Sequence, residues 1–167
     1  DHHQFDLNAT SGELAFVVGR TGRHIAAKNA LDYIAGYACF NDGSIRDYQR
    51  HTTQFMPGKT FWHSGALGPW MVTADALPDP AALSLTTRLN GTVMQEATTD
   101  DLLFDIPALI EYLSQIAPLV PGTVVATGTT GGVGAGRTPP VWMTAGDVIE
   151  IDISGIGVLR NTIIDET

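Results

Sequence analysis

Glycine and proline interrupt this chain too often for long helices. Eighteen glycines and nine prolines are spread along 167 residues in turn-like pairs, and such pairs close whatever regular segment precedes them. The pattern favours many short strands over a helical bundle. Between the breaks, residues 13–19 (ELAFVVG) and 33–40 form apolar runs that predict buried strands. Residues 83–89 alternate apolar and polar, predicting a half-buried strand, and Asn90-Gly91 predicts a hairpin with 92–95 returning antiparallel. Strands are also expected at 70–73, 123–126 and 147–153 (DVIEIDI), the last turning through 155–157 into 158–160. Residues 26–32 predict a short helix, residues 50–61 a partly helical segment, and residues 63–69 a loop.

One longer helix is legible. In residues 105–116 the apolar side chains Ile106, Leu109, Ile110, Leu113 and Ile116 follow a three-four spacing. Asp105 stands at the N-cap, Pro107 falls in the first turn and Pro118 lies just beyond the end. Its apolar face is expected to be core. Many short strands, few short helices and no internal repeat predict a mixed β-rich α+β fold, a rolled sheet or distorted barrel, in one domain over 1–167. With 44% hydrophobic and 16% charged residues, such a chain can bury a core without a disulfide or structural metal.

Charge narrows the partners. Eighteen Asp plus Glu against nine Lys plus Arg give a net charge of -9, which repels nucleic acid and anionic membranes. An anionic substrate then needs a local positive site, and Arg46 and Lys59 are the candidates. Cys39 is the single cysteine, so no intrachain disulfide is possible, and its apolar neighbours predict a packed thiol. No apolar run reaches membrane-span length, and the opening DHHQ is unlike a signal peptide, so a cytoplasmic protein is expected. The triplet at 8–10 matches a glycosylation sequon, with nothing else to imply secretion.

Residues 41–49 (NDGSIRDYQ) follow the second apolar run directly. If Ser44 caps a helix, Arg46 and Gln49 share a face beside the carboxylate of Asp42. Carboxylate, guanidinium and amide together suit a metal or an anionic substrate. The same pattern also reads as an ordinary strand-to-helix turn with a capping Asp. Residues 127–134 (TGTTGGVG) could cradle an anion with backbone N–H groups. They are not a P-loop, because no Lys-Ser/Thr follows, and they head no βαβ unit.

Taken in order, residues 12–19, 41–49, 57–61 (PGKTF) with 67–70 (LGPW), 87–91 (TRLNG), 127–134 and 155–161 resemble the fumarylacetoacetate hydrolase family. The match runs from about residue 12 to 161. The resemblance implies a β-sandwich roll, a homodimer, Mg²⁺ or Mn²⁺ bound through carboxylates, and a small β-diketo or oxo-acid substrate. Hard divalent ions prefer oxygen ligands, in keeping with this. Residue by residue, Glu13 and Asp42 resemble metal ligands. Arg46, Gln49 and Lys59 resemble the catalytic polar residues that hold substrate and stabilise an enolate. Thr129 resembles a contact to the substrate carboxylate.

The implied activity is an acylpyruvate-type hydrolase, as in aromatic or sugar-acid catabolism, cleaving a C–C bond between two carbonyls through a metal-bound enolate. The alternatives are an oxo-acid decarboxylase, isomerase or tautomerase that uses the same enolate, or a catalytically impaired homologue that binds a small oxo-acid. Two departures bear on the choice. Where the family has Glu-x-Glu, the first Glu falls at Ser11, which adds no charge to balance a cation; water or Asp6 would have to compensate. Family members also carry a longer N-terminal region whose lid supplies a His-Glu pair to activate water, and the chain starts too late to contain it in the usual place. His2, His3, His24, His51 and His63 are the histidines available, His51 being nearest to the site in sequence. Without such a pair, the non-hydrolytic alternative gains weight.

Overall fold

Alternation along the first strand decides which residues face inward. The computed structural model describes residues 11–165. Here β1 (Gly12–Val18) sends Leu14, Phe16 and Val18 into the main core, so Glu13, Ala15 and Val17 take its opposite face. It pairs antiparallel with β2 (Ile34–Asp42), Glu13 opposite Phe40 and Gly12 opposite Asn41. The edge strand β3 (Gly65–Thr73) continues β2, and β6 (Val124–Ala126) flanks β1 on its other side, giving the order β3-β2-β1-β6.

A second four-stranded antiparallel sheet packs on the inward face. It comprises β4 (Ser84–Leu89), β5 (Thr92–Thr98), β7 (Val148–Ile153) and β8 (Gly157–Thr162) in the order β5-β4-β7-β8. Leu85, Ile151, Ile153 and Leu159 meet Leu14, Phe16, Tyr37 and Cys39 between the sheets. Each large apolar side chain buried there contributes about 1.5–3 kcal/mol. Asn90 and Gly91 both take positive φ (50° and 79°), as a tight hairpin between β4 and β5 requires. The β-rich α+β architecture matches the expectation from sequence.

Helix α2 (Ile106–Ile116) is capped by Asp105, whose carboxylate accepts from the Ala108 N–H at 2.8 Å. Its buried face is Ile106, Ile110 and Ser114, whereas Ile116 is 65% exposed at the last turn. Ser114 is the polar member of that face. Its hydroxyl accepts from the Ile25 N–H at 2.9 Å and its carbonyl from the His24 N–H at 3.1 Å. The helix is thereby fastened beside a 3-10 turn over Ala27–Tyr33, which takes the place of the short helix expected at 26–32.

Two other local expectations are corrected. Residues 50–61 hold only a 3-10 turn, Met56–Gly58. The Thr52 hydroxyl bonds both backbone groups of Gln54, offering the chain an alternative to helix, and Pro57 removes a donor. Residues 65–69 are strand, because β3 pairs with β2 from Gly65 opposite Asp42 onwards. Pro69 is tolerated there because β3 lies at an edge. Among the described residues no helix is long and apolar enough to cross a membrane. Asp6, His2, His3 and the sequon at 8–10 lie outside the described residues.

Burial separates two isoleucines of one helix. Ile110→Ala is expected to cost about 2–5 kcal/mol and Ile116→Ala no more than about 0.5 kcal/mol, measured by urea unfolding.

Candidate functional site

The site forms where β1 and β2 meet at one end of the first sheet. Because Glu13 stands opposite Phe40, and Asp42 is two residues further along β2, both carboxylates fall on the same sheet face. Ser11 extends the ladder by one step, its carbonyl accepting the Asp42 N–H at 2.9 Å. Asp42 forms an ion pair with Lys59, whose ammonium also donates to the Ser44 hydroxyl at 3.3 Å. Lys59 reaches this point because its segment is tied to the next helix: the Ile45 N–H donates to the Gly58 carbonyl at 2.8 Å.

That helix, α1 (Arg46–Gln49), is a single turn. Its N-cap is Ile45, with no side-chain cap bond. Neither Ser44 nor Asp42 caps it, because the Ser44 hydroxyl bonds the Asp42 carbonyl (3.3 Å) and Lys59, and Asp42 pairs with Lys59. The shared face of Arg46 and Gln49 is present, the guanidinium Nη1 donating to Gln49 Oε1 at 2.6 Å. Gln49 is buried, and Arg46 keeps a buried Nε with no protein partner. Burial first, and then Arg50, draw the guanidinium pKa down, while Asp42 opposes them. An anion is what such a donor lacks.

The glycine-rich segment reaches the same carboxylate pair at Glu13. After β6 ends at Ala126 the chain stays beside β1. The Thr127 N–H and hydroxyl both donate to the Leu14 carbonyl, at 3.0 and 2.9 Å. The Gly128 N–H donates to Glu13 Oε2 at 2.8 Å. The Thr129 hydroxyl donates to the Gly12 carbonyl at 3.1 Å and accepts from Gln95 at 2.8 Å. With that hydroxyl proton engaged by protein, backbone N–H groups and the Thr130 hydroxyl are the donors this segment retains for a ligand.

Glu13 is 4% exposed. Burial pushes its carboxyl up to about 7, with Asp42 adding to the rise and the Gly128 N–H and Lys59 opposing it. A carboxyl so placed, beside a second carboxylate, would be favoured in its charged form by further positive charge beyond Lys59. The donor chemistry fits a hard divalent ion, since Mg²⁺ commonly takes one or two carboxylates and fills its remaining positions with water and substrate oxygens. Glu13 and Asp42 are the residues that would hold it. Among the described residues no three His, Cys, Asp or Glu side chains converge as a metal cluster. Among the described residues, Glu13 and Asp42 are thus the carboxylates at this point, and position 11 supplies a serine in place of a third.

His24, His51 and His63 are all exposed. The His51 ring packs on Tyr48 (4.8 Å between centroids) and the His63 ring stacks on Trp62 (4.6 Å). One contributor escaped the sequence reading: Gln95 of β5, fully buried, which joins β1 to the glycine-rich segment. Its only trace in the sequence is an amide ending the predicted return strand next to apolar Met94.

Residues 4–164 match the family described as fumarylacetoacetate (FAA) hydrolase C-terminal. The chain is 41% identical over 152 residues to oxaloacetate tautomerase YisK of Bacillus subtilis (strain 168), covering 91% of this chain and 50% of that protein. It thus spans about half the length of the curated relatives it matches. Among solved structures, a fumarylacetoacetate hydrolase from Exiguobacterium antarcticum superposes with a TM-score of 0.93 at 39% identity, covering 99% of this chain and 60% of that one. Maleylpyruvate hydrolase from Sphingobium sp. SYK-6, in complex with manganese(II) and pyruvate, gives a TM-score of 0.83 at 34% identity, covering 95% and 55%.

Cys39, next to Phe40 on β2, takes no part in this constellation. It is fully buried, its thiol donating to the Gly157 carbonyl at 3.4 Å, and burial raises its pKa to about 11. The folded protein at pH 8 is expected to leave a thiol reagent unreacted, and one equivalent should react on unfolding in denaturant. Rapid labelling of the native chain would contradict the packing described for β2.

Proposed function

The chain belongs to the fumarylacetoacetate hydrolase family, and on that premise we propose that it is a divalent-metal-assisted keto–enol tautomerase of a small 2-oxo diacid, with oxaloacetate the first substrate to test. The observation that carries this reading is the convergence of Lys59, Asp42 and Ser44 beside Glu13. Tautomerisation shifts one proton between carbon and oxygen and cleaves no C–C bond. It needs cations where negative charge gathers on the oxo oxygen. It does not need a base poised on an attacking water. The likeness to a tautomerase over nearly the whole chain supports the same side.

In this reading Glu13 and Asp42 hold Mg²⁺ or Mn²⁺. When bound, the ion supplies a Lewis acid to the oxygens of the oxo-acid. Lys59, whose ammonium donates to Asp42 and Ser44, would use its remaining N–H on the oxo oxygen, offsetting the charge that builds there as solvent water takes the carbon proton and returns one to that oxygen. Arg46, kept in place by Gln49, pairs with a substrate carboxylate through its unpartnered Nε. The segment around Thr129 meets the other carboxylate. The relatives solved as hydrolases favour a second reading, C–C cleavage of an acylpyruvate over the same residues. Exposed Leu67, Trp70 and Met71 on edge strand β3 support a homodimer as the working assembly.

The two readings differ in mass balance. Following enol absorbance of oxaloacetate with Mg²⁺, Mn²⁺ or chelator, with products assigned by NMR, is expected to show chelator-sensitive exchange that conserves mass. Pyruvate and a second acid from an acylpyruvate panel would transfer the assignment to the hydrolase; release of carbon dioxide would make it a decarboxylase. No turnover, with an oxo-acid still bound, would leave a binding homologue. Asp42→Ala is expected to abolish both divalent-ion binding, read by calorimetry, and turnover. Lys59→Ala should lower turnover at least tenfold with the ion still bound. Full activity in Asp42→Ala would remove the metal assignment.

A further inference from the structure

The glycine-rich segment has no regular structure of its own between Ala126 and the 3-10 turn at Gly134–Gly136, so something outside it must set its height over β1. Its backing is β5. The side chain of Gln95 is 2% exposed and uses both ends of its amide. Oε1 accepts from the Gly12 N–H at 3.0 Å, while Nε2 donates to the Thr129 hydroxyl at 2.8 Å and the Thr130 carbonyl at 2.9 Å. One residue of the second sheet thus holds the start of β1 and the middle of the glycine-rich segment at a fixed separation. Immediately beyond, Gly132 lies so close to β5 that a Cβ would stand 2.3 Å from the Met94 carbonyl. Arg137 bonds that same carbonyl (2.6 Å) and the Gly132 carbonyl (3.2 Å).

We propose that Gln95 is a positioning residue for the oxo-acid site, acting through the glycine-rich segment by fixing Gly128 on the Glu13 carboxylate and Thr129 beside Gly12. The inference rests on the reading of this segment as one wall of the oxo-acid site. Gln95 touches neither the carboxylate pair nor the cationic wall. Its influence travels through three hydrogen bonds, two of which end on the segment that contacts Glu13. With those bonds absent, the backbone donors of residues 128–131 lose their fixed distance from the carboxylates, and a bound dianion loses directed partners. A role confined to stability would instead reduce the fraction of folded chain and leave the affinity of each folded molecule unchanged.

Two variants separate these roles. Gln95→Met keeps the volume and removes all three bonds; Gln95→Glu, as the carboxylate, retains an acceptor for Gly12 and loses the donors to Thr129 and Thr130. Amide hydrogen exchange is expected to speed up at least tenfold across residues 127–131 in either variant, with residues 148–153 of β7 unchanged. In the presence of Mn²⁺, the Kd of oxalate, a non-reacting dianion, and the KM of the oxo-acid should each rise about tenfold, with kcat changed less than threefold. Unchanged exchange across 127–131, or a fall in kcat at constant KM and oxalate Kd, would overturn the proposal. If Gln95→Met does not fold, Gln95→Glu decides it by the same readings. A wild-type chain that neither binds oxalate nor turns over an oxo-acid would refute the functional reading, and the exchange data would then decide alone whether Gln95 positions the segment.

Discussion

The site depends first on the register of one pair of strands. With Glu13 opposite Phe40 on β2, the carboxylates of Glu13 and Asp42 share a sheet face while Leu14, Phe16, Tyr37 and Cys39 share the other. A slip of one residue would send Glu13 into the space between the sheets and bring Leu14 to the site, because side chains alternate with period two. The apolar contacts between sheets therefore hold the register that the chemistry needs. The core and the site are two faces of the same strands, and neither can be altered without the other.

Concentrating positive charge in an acidic protein follows from that frame. Net charge is -9, yet Arg46 and Lys59 are brought beside the carboxylates by two short local devices. One is the single-turn helix over Arg46–Gln49; the other is the bond from Ile45 to Gly58 that holds the Lys59 segment against it. The resulting cluster alternates sign over a few ångströms. Buried Glu13 is driven towards its neutral form, and Lys59 beside Asp42 partly offsets the effect. The proposed divalent ion and anionic oxo-acid would each supply charge that part of this cluster lacks.

How much of this was legible in the sequence varied with range. Local signals were sufficient for α2, whose Asp105 cap and three-four apolar spacing are both present, and for the hairpin at Asn90-Gly91. The pairing of Arg46 with Gln49 followed from helical spacing alone. Other local signals misled. Ser44 caps nothing because its hydroxyl serves Asp42 and Lys59, and residues 65–69 are strand because β2 offers them a ladder. For Ser44 the competing partners are the Asp42 carbonyl two residues back and Lys59 fifteen residues on, and for 65–69 it is β2; each outweighed the local preference.

The order of short motifs was enough to determine the family and the β-rich class. Turn residues and alternating strands are written locally, and Glu13, Asp42, Arg46, Gln49, Lys59 and Thr129 stand within those motifs. Only the tertiary structure decided how they meet. Gln95, 83 residues from Gly12 and 34 from Thr129, met both when the second sheet folded onto the first. Burial of Glu13, engagement of the Thr129 hydroxyl and the surface placement of the described histidines have the same origin. Solvent exclusion and hydrogen-bond partners are properties of neighbours in space, and a sequence lists only neighbours along the chain.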